Sequence, residues 1–188
     1  MNANDLILTP TGLIFRNRRI PVVVGRGGLR ADKHEGDGAT PLGAHRIVGM
    51  LYRADRIARA RLPHWAVPIG PNDLWCDAPL HEDYNHMVAA PFAASAERLR
   101  RADPMYDLVL VTDWNWPEAR AHRGSAIFVH AWRRPGFPTA GCVAMARGHL
   151  LWLAARLDPD SRLIVRGERP PRPGIAGPGA GGTSQRFE

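Results

Sequence analysis

Two residues in this chain have the types and the setting for acyl transfer: His130 and Cys142, with eleven residues between them. They lie in the segment Gly124–Met145, GSAIFVHAWRRPGFPTAGCVAM. A cysteine nucleophile needs a base to make thiolate, a group that orients the base, and N–H donors for the oxyanion. Free cysteine titrates at about 8.5, so little of it is thiolate at neutral pH without help. His130 ends an apolar, strand-like run and would be held rigidly enough to give that help. Gly141 permits close approach of the backbone to a substrate. The backbone N–H groups of Gly141 and Cys142 are natural oxyanion donors. Taken singly, Cys142 reads as a small buried hydrophobe and His130 as a satisfied core histidine. The succession of strand, histidine, loop, Gly-Cys and helix shifts the balance toward chemistry.

The elements that must position this pair are mostly β. Leu6–Thr9, Leu13–Phe15 and Arg19–Val24 read as a β-meander punctuated by Pro10-Thr11-Gly12 and Arg16-Asn17-Arg18. Gly36–Gly43 is a loop rich in Gly, Asp, Thr and Pro, and Ala44–Val48 a strand. Residues 61–91 show no clear periodicity but carry Trp65 and Trp75, and read as a long ordered excursion. Ser95–Arg101 is expected to be a short helix capped by Ser95. Tyr106–Thr112 and Ser125–His130 are strongly β. Ala146–Leu157 is expected to be a helix with Leu150, Leu153 and Leu157 on one face, followed by a closing strand, Arg162–Arg166. The fold class expected is α+β, mostly β: a β-sandwich-like domain over residues 1–167 with one or two short helices. Residues 168–188, rich in Gly and Pro, are expected to form a flexible tail.

Composition bounds the function. The chain has 188 residues, 45% hydrophobic, enough for one sizeable core. Its net charge is +7, and Lys33 is the only lysine, so the basic residues are otherwise arginines. Two cysteines, Cys76 and Cys142, cannot build a disulfide framework or a four-cysteine zinc site. Cys76, His81 and His86 have a spacing that fits no common zinc finger, and no metal is expected. No apolar run approaches the roughly 20 residues of a membrane span. The first residues lack a basic stretch followed by an apolar one, so no secretory signal is expected. The arginines are scattered, without a basic helix or interleaved aromatic repeat, which argues against nucleic acid.

The residues around Cys142 resemble the catalytic motif of the YkuD-type L,D-transpeptidases. That family carries a histidine at a strand end, a loop, then Ser/Thr-His-Gly-Cys and an apolar residue. The matching positions are His130, Thr139, Gly141, Cys142 and Val143. Glu35–Gly43 resembles a loop that precedes a core strand of these domains. Trp75-Cys76-Asp77 with Tyr84-Asn85 resembles a pocket segment of a short Gram-negative branch. The sequence departs from the pattern at Ala140, where most members have histidine, and at Ala144, where many have Arg or Asn.

The resemblance implies a YkuD-like fold and a cysteine acyltransferase. Cys142 would be the nucleophile and His130 the base, oriented by the carbonyl of Ala131, with Gly141 beside the oxyanion. It implies no cofactor. The partner would be diaminopimelate-containing peptidoglycan stem peptides, joined by a 3,3- or 1,3-type link, in the periplasm or cell envelope. A monomer without membrane insertion is expected. Trp132, Arg133, Arg134, Tyr84, Asn85 and Thr139 are expected to bind substrate, the arginines by gripping stem carboxylates; Asn115 is a further candidate. Two alternatives stay open: an L,D-carboxypeptidase or endopeptidase using the same cysteine, and a non-catalytic protein that binds anionic polymers.

Overall fold

The computed structural model describes residues 4–167. The tail expected over residues 168–188 lies outside the described residues. Strands β1 (Leu6–Thr9), β2 (Gly12–Phe15) and β3 (Arg18–Ile20) form the meander. The β2–β3 hairpin turns on Arg16 and Asn17, both at positive φ, 45° and 61°, which matches the right-handed twist of the flanking strands. β4 (Val22–Val23), β5 (Leu29–Arg30) and β6 (Thr40–Pro41) follow, and then the long strand β7 (Gly43–Tyr52). The excursion holds β8 (Val67–Pro68), β9 (Asp73–Cys76), β10 (Met87–Ala89) and β11 (Ala96–Arg98). β12 (Leu108–Thr112), β13 (Phe128–Ala131), β14 (Val143–Met145), the helix α1 (Arg147–Ala154) and β15 (Arg162–Val165) complete the described chain.

The main sheet runs β3-β2-β1-β15-β7-β12-β13-β14-β4, with β8 added beside β7. β7 belongs to two neighbourhoods. Its first half, Gly43–Arg46, pairs with β15, and its second half, from Ile47, pairs with β12. One strand therefore joins two sheet halves into the sandwich-like α+β fold. Gly49 lies inside β7, where a Cβ would sit 3.4 Å from Val111. The glycine ends the sequence signal at the expected Ala44–Val48, but the ladder with β12 carries the strand on to Tyr52.

Alternation along the central strands separates the core from the site. Leu108 and Leu110 of β12, Val129 and Ala131 of β13, and Val143 and Met145 of β14 enter the large core. That core also takes Leu150, Leu153 and Leu157, the apolar face expected of the helix. The intervening Val109, Val111 and Phe128 point to the other face and join a second cluster with Trp75, Leu99 and Tyr106. With a side-chain period of two, His130 lies on the face of Phe128, away from the large core.

The helix expected over Ser95–Arg101 is not formed. Ala96–Arg98 is instead a strand that pairs with β9, with Glu97 opposite Trp75, in a three-stranded sheet β10-β9-β11. Seven residues with good helix propensity make a marginal helix by themselves. The ladder with β9, and full burial of Leu99, outweigh that local preference.

Much of the basic excess is used inside the fold. Buried Asp107 accepts from Arg56 at 2.7 Å and from Arg147 at 2.8 Å, tying the helix start to the segment after β7. Arg162 grips Asp5, and Arg53 grips Asp55. Removing the carboxylate leaves two guanidinium groups without their shared partner. Because both arginines are partly solvated, Asp107→Ala is expected to cost about 2 kcal/mol, read as a lower urea midpoint with an unchanged slope.

Candidate active site

β13 and β14 run parallel, with His130 opposite Ala144. Cys142 is two residues before Ala144 and so faces the same side. Both side chains line the same space, one cavity of about 540 Å³.

His130 is 4% exposed. Its Nδ1 lies 2.8 Å from the carbonyl oxygen of Ala131, so the neutral ring carries its proton on Nδ1 and presents Nε2 as the free acceptor. The ring of Tyr106 stands edge-on to it, with centroids 5.2 Å apart at 77°. Burial pushes the imidazole pKa down to about 4, against a smaller upward pull from the Ala131 carbonyl. At neutral pH it is an unprotonated base.

Cys142 packs against the second apolar cluster. Its thiol donates to the Ala126 carbonyl at 3.1 Å, and its sulfur lies 3.4 Å from the Phe128 N–H. Burial pushes the thiol up to about 12. The resting pair is therefore thiol and imidazole, both neutral. Transfer to His130 requires the S–H to turn from Ala126. Both shifts act on stability. Below 6.5, the unfolded chain takes a proton that folded His130 refuses until about pH 4. Above 9, the unfolded chain releases a proton that folded Cys142 keeps until about 12. The pair thus favours the fold most between about pH 6.5 and 9. Iodoacetamide alkylation of Cys142, followed by peptide mapping, is expected to be slow at pH 7 and to rise about tenfold per pH unit up to pH 10. A plateau near neutrality would instead mean a preformed thiolate–imidazolium pair.

The turn that carries the cysteine is built from below. Gly141 has φ +149°, and a Cβ there would sit 2.9 Å from the Ala39 oxygen and 3.1 Å from Ile127. Thr40 Oγ1 donates to the Gly141 carbonyl at 2.7 Å and accepts from the Gly25 N–H at 2.9 Å. This is the structural task of the loop Gly36–Gly43: it presses its backbone against the Cys142 turn. Thr139 closes the turn. Its hydroxyl donates to the Cys142 carbonyl at 2.6 Å and accepts from the Gly141 N–H at 3.1 Å. That hydroxyl is spent within the turn, and the Gly141 N–H, expected to be an oxyanion donor, rests on Thr139.

The other expected substrate-binding residues divide. Trp132 and Arg133 line the cavity. Arg134 is exposed and stacks its guanidinium 3.9 Å over the Phe137 ring, and it is not part of the lining. Tyr84 and Asn85 are each 2% exposed. Asn85 Oδ1 accepts from Trp75 Nε1 and the Ala126 N–H, while its Nδ2 donates to the carbonyls of Trp114 and Asn115. All four of its hydrogen-bonding positions are used by the chain, leaving none for a substrate. Tyr84 donates to Glu35 and accepts from the Gly124 N–H. Asn115 Nδ2 bonds the carbonyls of Arg120 and Gly124. These residues hold the cavity wall rather than face it.

The cavity also takes Glu35 and Asp77, from the two family-like segments, and Glu97, Met105, Tyr106 and Ser125, which the sequence did not mark as site residues. Three are carboxylates, set against the single guanidinium of Arg133. Glu97 comes from β11 of the three-stranded sheet, Asp77 directly follows β9, and Tyr106 lies at the entry to β12. No helix among the described residues is long and apolar enough to cross a membrane.

A histidine on β13 and a Gly-Cys turn that leads into the parallel β14 thus open on one cavity. A family model described as the L,D-transpeptidase catalytic domain of YkuD type matches residues 8–165. The chain belongs to this family. No curated protein matches it. The L,D-transpeptidase domain thus spans nearly every described strand, from β1 to β15, and its family acts on peptidoglycan.

Proposed function

We propose that this L,D-transpeptidase domain cross-links peptidoglycan stem peptides through a thioester on Cys142. The observation that carries the reading is the shared cavity of Cys142 and His130, with the base oriented by Ala131 and unprotonated at neutral pH. A donor stem enters beside Trp132 and Arg133, and Arg133 pairs with a stem carboxylate. The thiol leaves Ala126, His130 Nε2 takes its proton, and the sulfur attacks the carbonyl of an L,D-peptide bond. His130 returns the proton to the leaving D-amino acid. An amine of a neighbouring stem then attacks the thioester and forms a 3,3- or 1,3-type link. The Cys142 N–H, and the Gly141 N–H once released from Thr139, stabilise the oxyanion. The setting is the cell envelope.

Incubation of the protein with disaccharide–stem peptides, followed by mass spectrometry, tests this. Cross-linked dimers are expected, with linkage position read from fragmentation. Trimmed monomers without dimers would make the protein an L,D-carboxypeptidase on the same thioester.

A further inference from the structure

We propose that Glu97 receives the ammonium group of the acceptor amine and takes its first proton, so that this one carboxylate decides between aminolysis and hydrolysis of the thioester. The inference rests on the acyl-transfer reading above and names the residue that selects the second substrate.

The three carboxylates in the cavity wall are not equivalent. Glu35 Oε2 accepts from the Tyr84 hydroxyl and from Ser125 Oγ. Asp77 turns Oδ1 into the protein, where no group among the described residues meets it. Glu97 is tied to the base. Its Oε1 accepts from the Tyr106 hydroxyl at 2.8 Å, and the same Tyr106 ring stands edge-on to His130. Tyr106 is fixed in turn by the Arg101 guanidinium, 5.3 Å over its ring, which Asp103 clamps with two hydrogen bonds. One oxygen of Glu97 is thus oriented by a locked phenol. The other, Oε2, accepts no hydrogen bond among the described residues.

The charge of Glu97 is felt at the sulfur, where it opposes the thiolate. A group that disfavours an anion there favours a cation in the same space. Burial raises the Glu97 pKa, partly offset by Tyr106 and Arg101, which makes it a better proton acceptor than a solvated carboxylate. An acceptor amine arrives as an ammonium and must lose a proton before it attacks. In the proposed step that proton passes to Glu97 and then to solvent. The amine nitrogen bonds to the thioester carbon, and the carbon–sulfur bond breaks. A second proton returns through His130 to the Cys142 sulfur, and the third stays on the new amide nitrogen. Water, the competing nucleophile, carries no positive charge and gains little from Glu97.

The test uses the full chain and measures the two half-reactions separately. Thioester formation is followed by intact-protein mass with a donor stem tetrapeptide. Partition is followed as the ratio of dimer to hydrolysed monomer at increasing concentrations of an acceptor stem bearing a free amine. Glu97→Gln still accepts from Tyr106 but has no charge. It is expected to lower the dimer-to-hydrolysis ratio at least about tenfold and to raise the acceptor KM, while thioester formation persists. Tyr106→Phe keeps the ring on His130 and releases Glu97, and is expected to lower the same ratio. An unchanged ratio in Glu97→Gln, or thioester formation falling in step with dimer, would overturn the proposal. Absence of any thioester on the wild-type protein would instead overturn the acyl-transfer reading.

Discussion

Replacing His130 with alanine is expected to slow thioester formation by about 10²–10⁴-fold, the range for loss of a positioned base. The effect should be large because the resting thiol is neutral. With burial holding Cys142 near 12, the sulfur has essentially no thiolate at pH 7, and every turnover must begin with a proton transfer. His130 shares the cavity and would take that proton: its Nδ1 is fixed by Ala131 and its low pKa leaves Nε2 unprotonated. The pH profile separates a chemical role from a packing role. In the wild type, donor acylation should lose activity only below about pH 4 on the acid side, as the imidazole takes a proton. In His130→Ala, the residual rate should rise about tenfold per pH unit, because hydroxide must do the work of the base. Stopped-flow or intact-mass time courses between pH 4 and 10 check this. A variant within threefold of wild type at pH 7 would remove His130 from the mechanism.

Gly141→Ala is expected to damage stability and chemistry together. The added Cβ would sit 2.9 Å from the Ala39 carbonyl oxygen. Ala39 has little room to give, because its N–H bonds Asp37 and its neighbour Thr40 bonds Gly141 itself. A φ of +149° is also unfavourable for any residue with a Cβ. The expected cost is about 2–4 kcal/mol, seen as a lower urea midpoint. Relief comes only by moving the turn from Thr139 to Cys142. A shift of about 1 Å at a nucleophile costs on the order of 10²-fold in rate. Acylation by the donor stem should fall by at least that factor under conditions where the protein remains folded. A fall in stability with full acylation rates would mean that the turn is not part of the reacting geometry.

The sequence makes some of this legible for physical reasons. His130 and Cys142 stand out because their side chains carry chemistry, and the strand before His130 is marked by its apolar run. The meander and the Leu150–Leu153–Leu157 face are readable because their spacing matches a single local period. Residues whose roles depend on partners far along the chain are not readable. Glu97 lies in a stretch of helix formers, and it reaches the cavity only because β9 offers that stretch a ladder. Tyr106 precedes a strand like any other aromatic until it meets Glu97 and His130. Tyr84 and Asn85 have the donors and acceptors of a substrate site, but Trp75, Ala126, Gly124 and Glu35 use them. Thr139 is a similar case: its hydroxyl closes the Cys142 turn. The +7 charge and scattered arginines leave the use of the basic excess open, and several arginines are consumed by Asp107, Asp5, Asp55 and Asp103. The cavity itself is acidic on balance.

The central claim is that Cys142 carries the acyl group. The most direct measurement is acid quenching of the protein during reaction with a donor stem tetrapeptide, followed by peptide mapping by mass spectrometry. The account predicts an adduct on the peptide containing Cys142, with the mass of the donor minus its terminal D-amino acid, and no adduct in Cys142→Ala. Continued dimer formation by Cys142→Ala, or an adduct on Cys76 alone, would contradict it.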